Sequence, residues 1–250
     1  MRNGGLVISH DINRHKEQSE HISLSTVLFL RSDIFHRLIS TAREQDKISC
    51  SKLTWNDPEK LFHVIEERLR SSIEALTPQQ IWDRFFASAV NGLPLKKYIS
   101  AQLIPRPRDI IFFMKAAISE AVNRGHPKIM ESDFLSAEAI YSAYALDSIF
   151  TEHVDSDINL QEVCYRLIGR DATMSLQAFT DILEVAGIPR ELHLKCVQKL
   201  QELSFLGFEV GKDDYRYLYD YSDLPKLQVM AKRYTQESGA PENVRINRPF

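Results

Sequence analysis

The sequence predicts a mainly α-helical chain with a short β element near its start and a β-hairpin near its end. Three observations predict it. Helix start and stop signals recur from residue 57 to residue 203. Glycine is scarce, 9 in 250 residues, about half the usual ~7%. Only two stretches, 24–30 and 205–221, read as strands.

Taken in order, residues 5–19 read as a short helix ending in the charged run Arg14-His15-Lys16-Glu17. Leu24 to Leu30 (LSTVLFL) is a short apolar run with β-branched residues. Its length suits a buried strand, although periodicity alone does not separate that from helix. A helix follows from about Asp33 to Glu44, with Ile34, Leu38 and Ile39 on one face. Asp57-Pro58 supplies a cap with proline at the first helical position, ahead of an apolar face built from Leu61, Phe62, Val64, Ile65 and Leu69. Thr77-Pro78-Gln79-Gln80 fits a capping box and leads into Ile81, Trp82, Phe85 and Phe86. Pro105 and Pro107 interrupt the chain before the apolar segment Ile110 to Val122, which Gly125 terminates. Residues 132–151 form a further wide-faced helix.

The acidic stretch Thr151 to Asp157 marks a domain boundary. Helices near 158–168, 175–186 and 189–203 come next. Phe205 to Val210 and Tyr215 to Tyr221 then read as strands around Gly211-Lys212-Asp213-Asp214. Three helices followed by a hairpin is the order of elements in a winged helix. Tyr215, Tyr217, Tyr219 and Tyr221 alternate and would share one strand face. The domain limits that follow are 1–50, 51–152 and 153–235, with 236–250 an irregular tail.

Composition excludes several function classes. Lys+Arg 31 against Asp+Glu 34, a net charge of −3, argues against a general polyanion binder. A phosphate-cradling loop needs glycines at fixed spacing, and neither GxxxxGK[ST] nor GxGxxG can be written in this sequence. Gly211-Lys212 is the single Gly-Lys pair, and the preceding glycine, Gly207, is four residues back where five are required. The scattered Cys50, Cys164 and Cys196 suit reduced core thiols rather than a disulfide framework. The start holds too short an apolar run for a signal peptide, and no stretch approaches the ~20 apolar residues of a membrane span. A cytoplasmic protein is the expectation. No zinc set, HExxH motif, GxSxG elbow or catalytic triad is evident, so no metal and no catalytic residue is expected.

Three groups carry possible chemistry. Arg31 follows the first strand directly, where ligands bind in open α/β sheets; the alternative is a surface arginine paired with Asp33 or Asp46. Arg106 and Arg108 flank Pro107 at the start of the most apolar helix, and arginine forks match phosphate oxygens bidentately. The alternative there is Asp109 favouring the helix N-terminus beside solvated arginines. Lys195 and Lys199 lie four apart on the helix before the hairpin, the recognition position of a DNA-binding winged helix. Glu191, Glu202, Glu209, Asp213, Asp214 and Asp220 crowd them and favour a solvated face.

The FLRSDIF run (Phe29 to Phe35), Asp46-Lys47 with Trp55, the RPRDII run (Arg106 to Ile111) and Ala139-Ile140-Tyr141-Ser142 occur in this order. Together they resemble the C-terminal half of a group of prokaryotic P-loop ATPases related to the STAND and AAA+ proteins, over roughly residues 20–220. Some related NTPases act in phage defence or DNA maintenance. The resemblance implies a remnant of the α/β P-loop core at 1–50, a helical lid at 51–152 and a winged-helix-like domain at 153–235. It implies nucleotide-sensing roles for Arg31 and for Arg106 or Arg108. The phosphate loop and the acidic Mg²⁺-binding strand would lie before Met1, so the chain is expected to be one piece of a larger or split ATPase. ATP and Mg²⁺ are expected only with that missing half, and the chain alone is expected not to hydrolyse ATP. The expected function is coupling nucleotide state to contacts with a protein partner or a homo-oligomer, with no membrane role. The alternatives are a winged-helix DNA-binding regulator and an α-helical interaction scaffold.

Overall fold

A computed structural model describes the backbone at residues 5–11, 25–31, 34, 38, 41, 43, 51–72, 76–151, 158–221 and 224–250. Side chains are described from residue 53 onward within those stretches, and at Leu30, Ile34, Leu38, Thr41 and Arg43. The chain is mainly helical with small sheets, and it divides into two compact units, Met1–Asp57 and Pro58–Phe250.

The first unit holds strands β1 (Gly5–Asp11), β2 (Ser25–Arg31) and β3 (Ser51–Lys52), in the order β2-β1-β3. Both ladders are antiparallel, the pairing of hairpins rather than of βαβ crossovers. The expected strand at 24–30 is thus present one residue later. The expected helix at 5–19 is corrected at its start: Gly5–Asp11 pairs along its whole length with β2, from Gly5 opposite Arg31 to Asp11 opposite Ser25. The run Leu6-Val7-Ile8 faces Leu30, Phe29 and Leu28 across that ladder, so β-branched pairing outweighs local helix tendency. Residues 12–24, including the charged run at 14–17, lie outside the described residues. Ile34, Leu38 and Thr41 are helical, as expected, and Ile34 and Leu38 are exposed.

The second unit begins with a helical bundle. It comprises α1 (Pro58–Arg70), α2 (Pro78–Phe85), α3 (Leu95–Gln102), α4 (Pro107–Arg124) and α5 (Glu131–Thr151). The Thr77 capping box forms in both directions, with Gln80 N–H donating to Thr77 Oγ1 and Thr77 N–H donating to Gln80 Oε1. A hairpin of β4 (Ala89–Val90) and β5 (Leu93–Pro94) turns at Asn91-Gly92, both left-handed with φ of 49° and 74°. Gly125, at φ 68°, closes α4. The core is aromatic: Trp82 meets Phe62 edge-on at 5.6 Å, and Phe113, Phe134 and Tyr141 are fully buried.

The C-terminal module follows in the order α6 (Leu160–Leu167), β6 (Thr173–Ser175), α7 (Leu176–Val185), α8 (Arg190–Glu202), β7 (Leu206–Gly211) and β8 (Asp214–Arg216). The three helices and the hairpin are where the sequence places them. The second hairpin strand is shorter than expected. Leu218–Asp220 is a 3₁₀ turn, with the Asp220 carboxylate accepting from Tyr217 N–H at 2.9 Å, so the four tyrosines do not share a strand face. The tail is also corrected. Residues 236–250 are not wholly irregular: α9 (Leu224–Ser238) packs on β7, and β9 (Asn243–Ile246) lies between β6 and β7 in the sheet order β6-β9-β7-β8. Val244 and Ile246 face the core while Asn243 and Arg245 are half-buried, the period-2 pattern of a strand covered on one face. Ile149 of α5 joins this module's core, so α5 serves both parts of the unit. The acidic stretch 152–157 lies outside the described residues.

Candidate functional site: an arginine-carboxylate joint

The start of α4 is shaped by its prolines. A residue before proline is driven to extended backbone, and Arg106 adopts φ −136°, ψ 139°. It caps the helix without any side-chain hydrogen bond, and its side chain is buried, 8% exposed. Asp109, two residues into the helix after Pro107, is 2% exposed. Its Oδ1 accepts from Tyr141 Oη at 2.8 Å, and Tyr141 Oη accepts from Ile104 N–H at 3.2 Å. Tyr141 therefore ties α5 to the connection between α3 and α4. Burial pushes the Asp109 carboxyl above its ordinary value, with Arg106, the Tyr141 hydrogen bond and Arg108 pulling partly against it. Burial and the neighbouring Asp109 push the Tyr141 hydroxyl far above its ordinary range.

Arg108 differs from Arg106. Its side chain is 36% exposed, with Nε 3.9 Å from Asp109 Oδ2. Its Cζ lies 5.9 Å from the ring of Tyr144, which stacks on Phe112 at 3.9 Å. Arg106, Arg108 and Asp109 line a crevice closed by Ala145 and Ser148 of α5 and by Leu203 and Phe250 of the C-terminal module. The crevice measures about 10 Å³, room for about one water. As it stands it admits no phosphate group, and Arg108 is the arginine with a path to solvent.

The other expected site residues lie elsewhere. Arg31 closes β2 opposite Gly5, and its side chain lies outside the described residues. Lys195 is exposed on α8, and Lys199 is half-buried with Nζ 3.4 Å from Glu202 Oε2. Carboxylates flank them: Arg190 pairs with Glu184 at 2.6 Å and Arg216 with Asp214 at 2.8 Å. His193 Nε2 sits 2.9 Å from the Ile188 carbonyl, and no metal-binding group of His, Cys, Asp and Glu occurs among the described residues. Cys164 and Cys196 are buried, and burial pushes both thiols up to about 12, so neither supplies a thiolate at neutral pH. Cys50 lies outside the described residues. No described helix is long and apolar enough to cross a membrane.

Sequence reasoning missed two features. Tyr141 emerges as the bridge of the joint, although its only local mark was a place in a helical run. Asp133 emerges as a fully buried hub at the other end of α4. Its carboxylate accepts from Arg124 Nη1 at 2.9 Å and Met130 N–H at 2.9 Å, and lies 2.9 Å from His126 Nδ1. Burial alone would raise the Asp133 carboxyl, but His126, Met130 N–H and Arg124 together hold it below the ordinary carboxylate value.

Comparison with known proteins adds one match. A family model described as a FunZ-associated C-terminal helical domain matches residues 59–150. That span begins one residue into α1 and ends one residue before the end of α5, so it covers the helical bundle and contains the arginine joint. No curated protein and no solved structure matches the chain.

Proposed function

We propose that this chain is the lid and regulatory C-terminal part of a STAND/AAA+-like P-loop ATPase, coupling nucleotide state to oligomer or partner contacts. One observation carries the proposal: the RPRD run lies inside the span matched by a C-terminal helical domain and lines a crevice whose far wall is the next module. A charge arriving at Arg108 would act on a joint that the bundle shares with Leu203 and Phe250. Arg108 would bind the phosphate charge, its half-exposed fork matching phosphoryl oxygens, and Arg106 would adjust the joint behind it. Arg31 would be a nucleotide-sensing residue of the first unit. ATP and Mg²⁺ would be supplied with a P-loop core, since this chain carries no phosphate loop motif. The element order of the C-terminal module supports a winged-helix-like unit, and the carboxylates around Lys195 and Lys199 favour protein contacts over DNA. The experiment is ATP turnover by the purified chain with Mg²⁺. No turnover is expected; robust turnover that depends on Arg31 refutes the proposal.

A second reading has its own support. Arg106 is buried beside Asp109 rather than turned to solvent, as an α-helical interaction scaffold would have it. Addition of the chain to a P-loop ATPase core of this class separates the two: a lid changes nucleotide affinity and loses that effect with Arg108→Ala, whereas a scaffold changes neither.

A further inference from the structure

Anion binding by an arginine must first order a long side chain, and a fork already held in place loses less on binding. Arg108 has such a holder on α5. Its Cζ lies 5.9 Å from the centre of the Tyr144 ring, within the ~6 Å reach of a cation–π contact. The Tyr144 ring is itself supported. Phe112 lies against it nearly parallel, with 3.9 Å between ring centres and 12° between planes. Phe112 follows Arg108 by one helical turn, so both project from one face of α4. A third ring backs the pair: Tyr141 is 6.3 Å from Tyr144 and 6.4 Å from Phe112. Tyr141 is buried and fixed by its hydrogen bonds with Asp109 and Ile104 N–H.

We infer that Tyr144 is the positioning residue for Arg108, holding its guanidinium ready for the phosphate oxygens of a nucleotide. The inference rests on the reading of Arg108 as a phosphate contact and adds the side chain that prepares it. An aromatic ring engages the flat face of a guanidinium, whereas phosphate oxygens meet its N–H edge. Ring and phosphate therefore do not compete. A carboxylate differs, because it takes the same edge as a phosphate. Asp109 Oδ2, 3.9 Å from Arg108 Nε, is beyond hydrogen-bond reach and supplies charge rather than a fork partner. Arg108 belongs to α4 and Tyr144 to α5, so the direction of the fork is set by the packing of two helices inside the matched span. The contact uses the ring and not the hydroxyl, so phenylalanine at position 144 would serve equally.

The test uses the full chain with inorganic tripolyphosphate as the probe. Calorimetry reads its affinity, and NMR relaxation reads the order parameter of the Arg108 Nε–H bond. Arg108→Ala should weaken binding. Tyr144→Leu should weaken it about threefold, the worth of an exposed cation–π contact, and should lower the order parameter. Tyr144→Phe should restore both readings to the parent's. In an Arg108→Ala background, Tyr144→Leu should have no further effect on affinity. Should Tyr144→Leu not fold, Phe112→Leu removes the backing ring alone and should move both readings in the same direction. Where Arg108→Ala weakens binding, three results each overturn the inference: affinity or order unchanged in Tyr144→Leu, Tyr144→Phe behaving like Tyr144→Leu, or a Tyr144→Leu loss that persists without Arg108. Binding that Arg108→Ala leaves unweakened refutes the phosphate contact itself, and unchanged order in Tyr144→Leu then overturns the positioning as well.

Discussion

Gly207→Ala tests how closely the C-terminal hairpin is packed. A Cβ at position 207 would lie 2.7 Å from Cε1 and 2.9 Å from Cδ1 of Tyr217, and 2.9 Å from the Arg216 carbonyl oxygen. Carbon pairs rest at about 3.5–4.0 Å, so the ring must retreat by nearly an ångström. It has little room to do so. Tyr217 is 9% exposed, stacks on Tyr219 at 5.4 Å and reaches the Ile246 carbonyl with its hydroxyl. The Arg216 carbonyl belongs to the backbone of β8, and moving it strains the ladder that pairs Arg216 with Phe208. Overpacking of this kind costs about 1–3 kcal/mol. Replacing a strand glycine with alanine returns about 0.5–1 kcal/mol of backbone entropy. With three contacts violated together the upper part of the first range applies, leaving a net loss of about 1–2 kcal/mol. For a unit of this size that is a melting temperature lower by about 2–8 °C, read by calorimetry or circular dichroism. In a Tyr217→Leu background two of the three contacts disappear and the penalty should fall by about half. A Gly207→Ala protein that melts at or above the parent's temperature refutes the packing argument.

Two further predictions concern charge. Asp133→Asn removes a buried carboxylate held by Arg124, His126 and Met130 N–H, and should cost about 1.5–3 kcal/mol at neutral pH. Because the Asp133 carboxyl is held below its ordinary value, its stabilisation is complete above the ordinary carboxylate range and is lost as pH falls through the depressed value. Acid titration of unfolding free energy should therefore be less steep below about pH 4 in Asp133→Asn; an unchanged slope would show that Asp133 does not contribute. On α8, Lys195→Ala and Lys199→Ala should leave duplex DNA binding unchanged, because the parent itself should give no salt-dependent gel shift. A shift that weakens with salt and with either substitution would establish the DNA-binding alternative instead.

The signals that sequence conveys well are those written in a few neighbouring residues. Pro58 begins its helix, the Thr77-Gln80 box closes, and Gly125 takes the left-handed backbone that ends α4. The Asn91-Gly92 turn is equally local, yet the sequence reading places no hairpin there, because the strands it joins are only two residues each. β9 carries the alternation Asn243-Val244-Arg245-Ile246, hidden in a polar tail because four residues define no strand until β6 and β7 offer edges on both sides. β1 depends on β2 in the same way. The arginine joint was half legible. Proline spacing marks Arg106 and Arg108, but burial of Asp109 depends on Tyr141, 32 residues away, and no local pattern reports a partner at that distance.

The two ends of α4 make opposite use of a buried carboxylate, and the contrast bears on why the joint exists. At the C-terminal end Asp133 is fully buried and its oxygens meet three donors, an arrangement that stabilises the turn into α5. At the N-terminal end three local rules fail within four residues. An arginine occupies the capping position, where Ser, Thr, Asp or Asn would satisfy a free N–H. Among the described residues its buried Nε has no hydrogen-bond acceptor and Oδ2 of Asp109 no hydrogen-bond donor, beside a crevice with room for about one water. The carboxylate at one end is met by protein groups, whereas that at the other lies at a crevice of water size. Local inconsistency of this kind concentrates where function rather than stability decides the residue. Here it falls where the bundle meets the C-terminal module, at the RPRD run, which lies within the span matched by the family model.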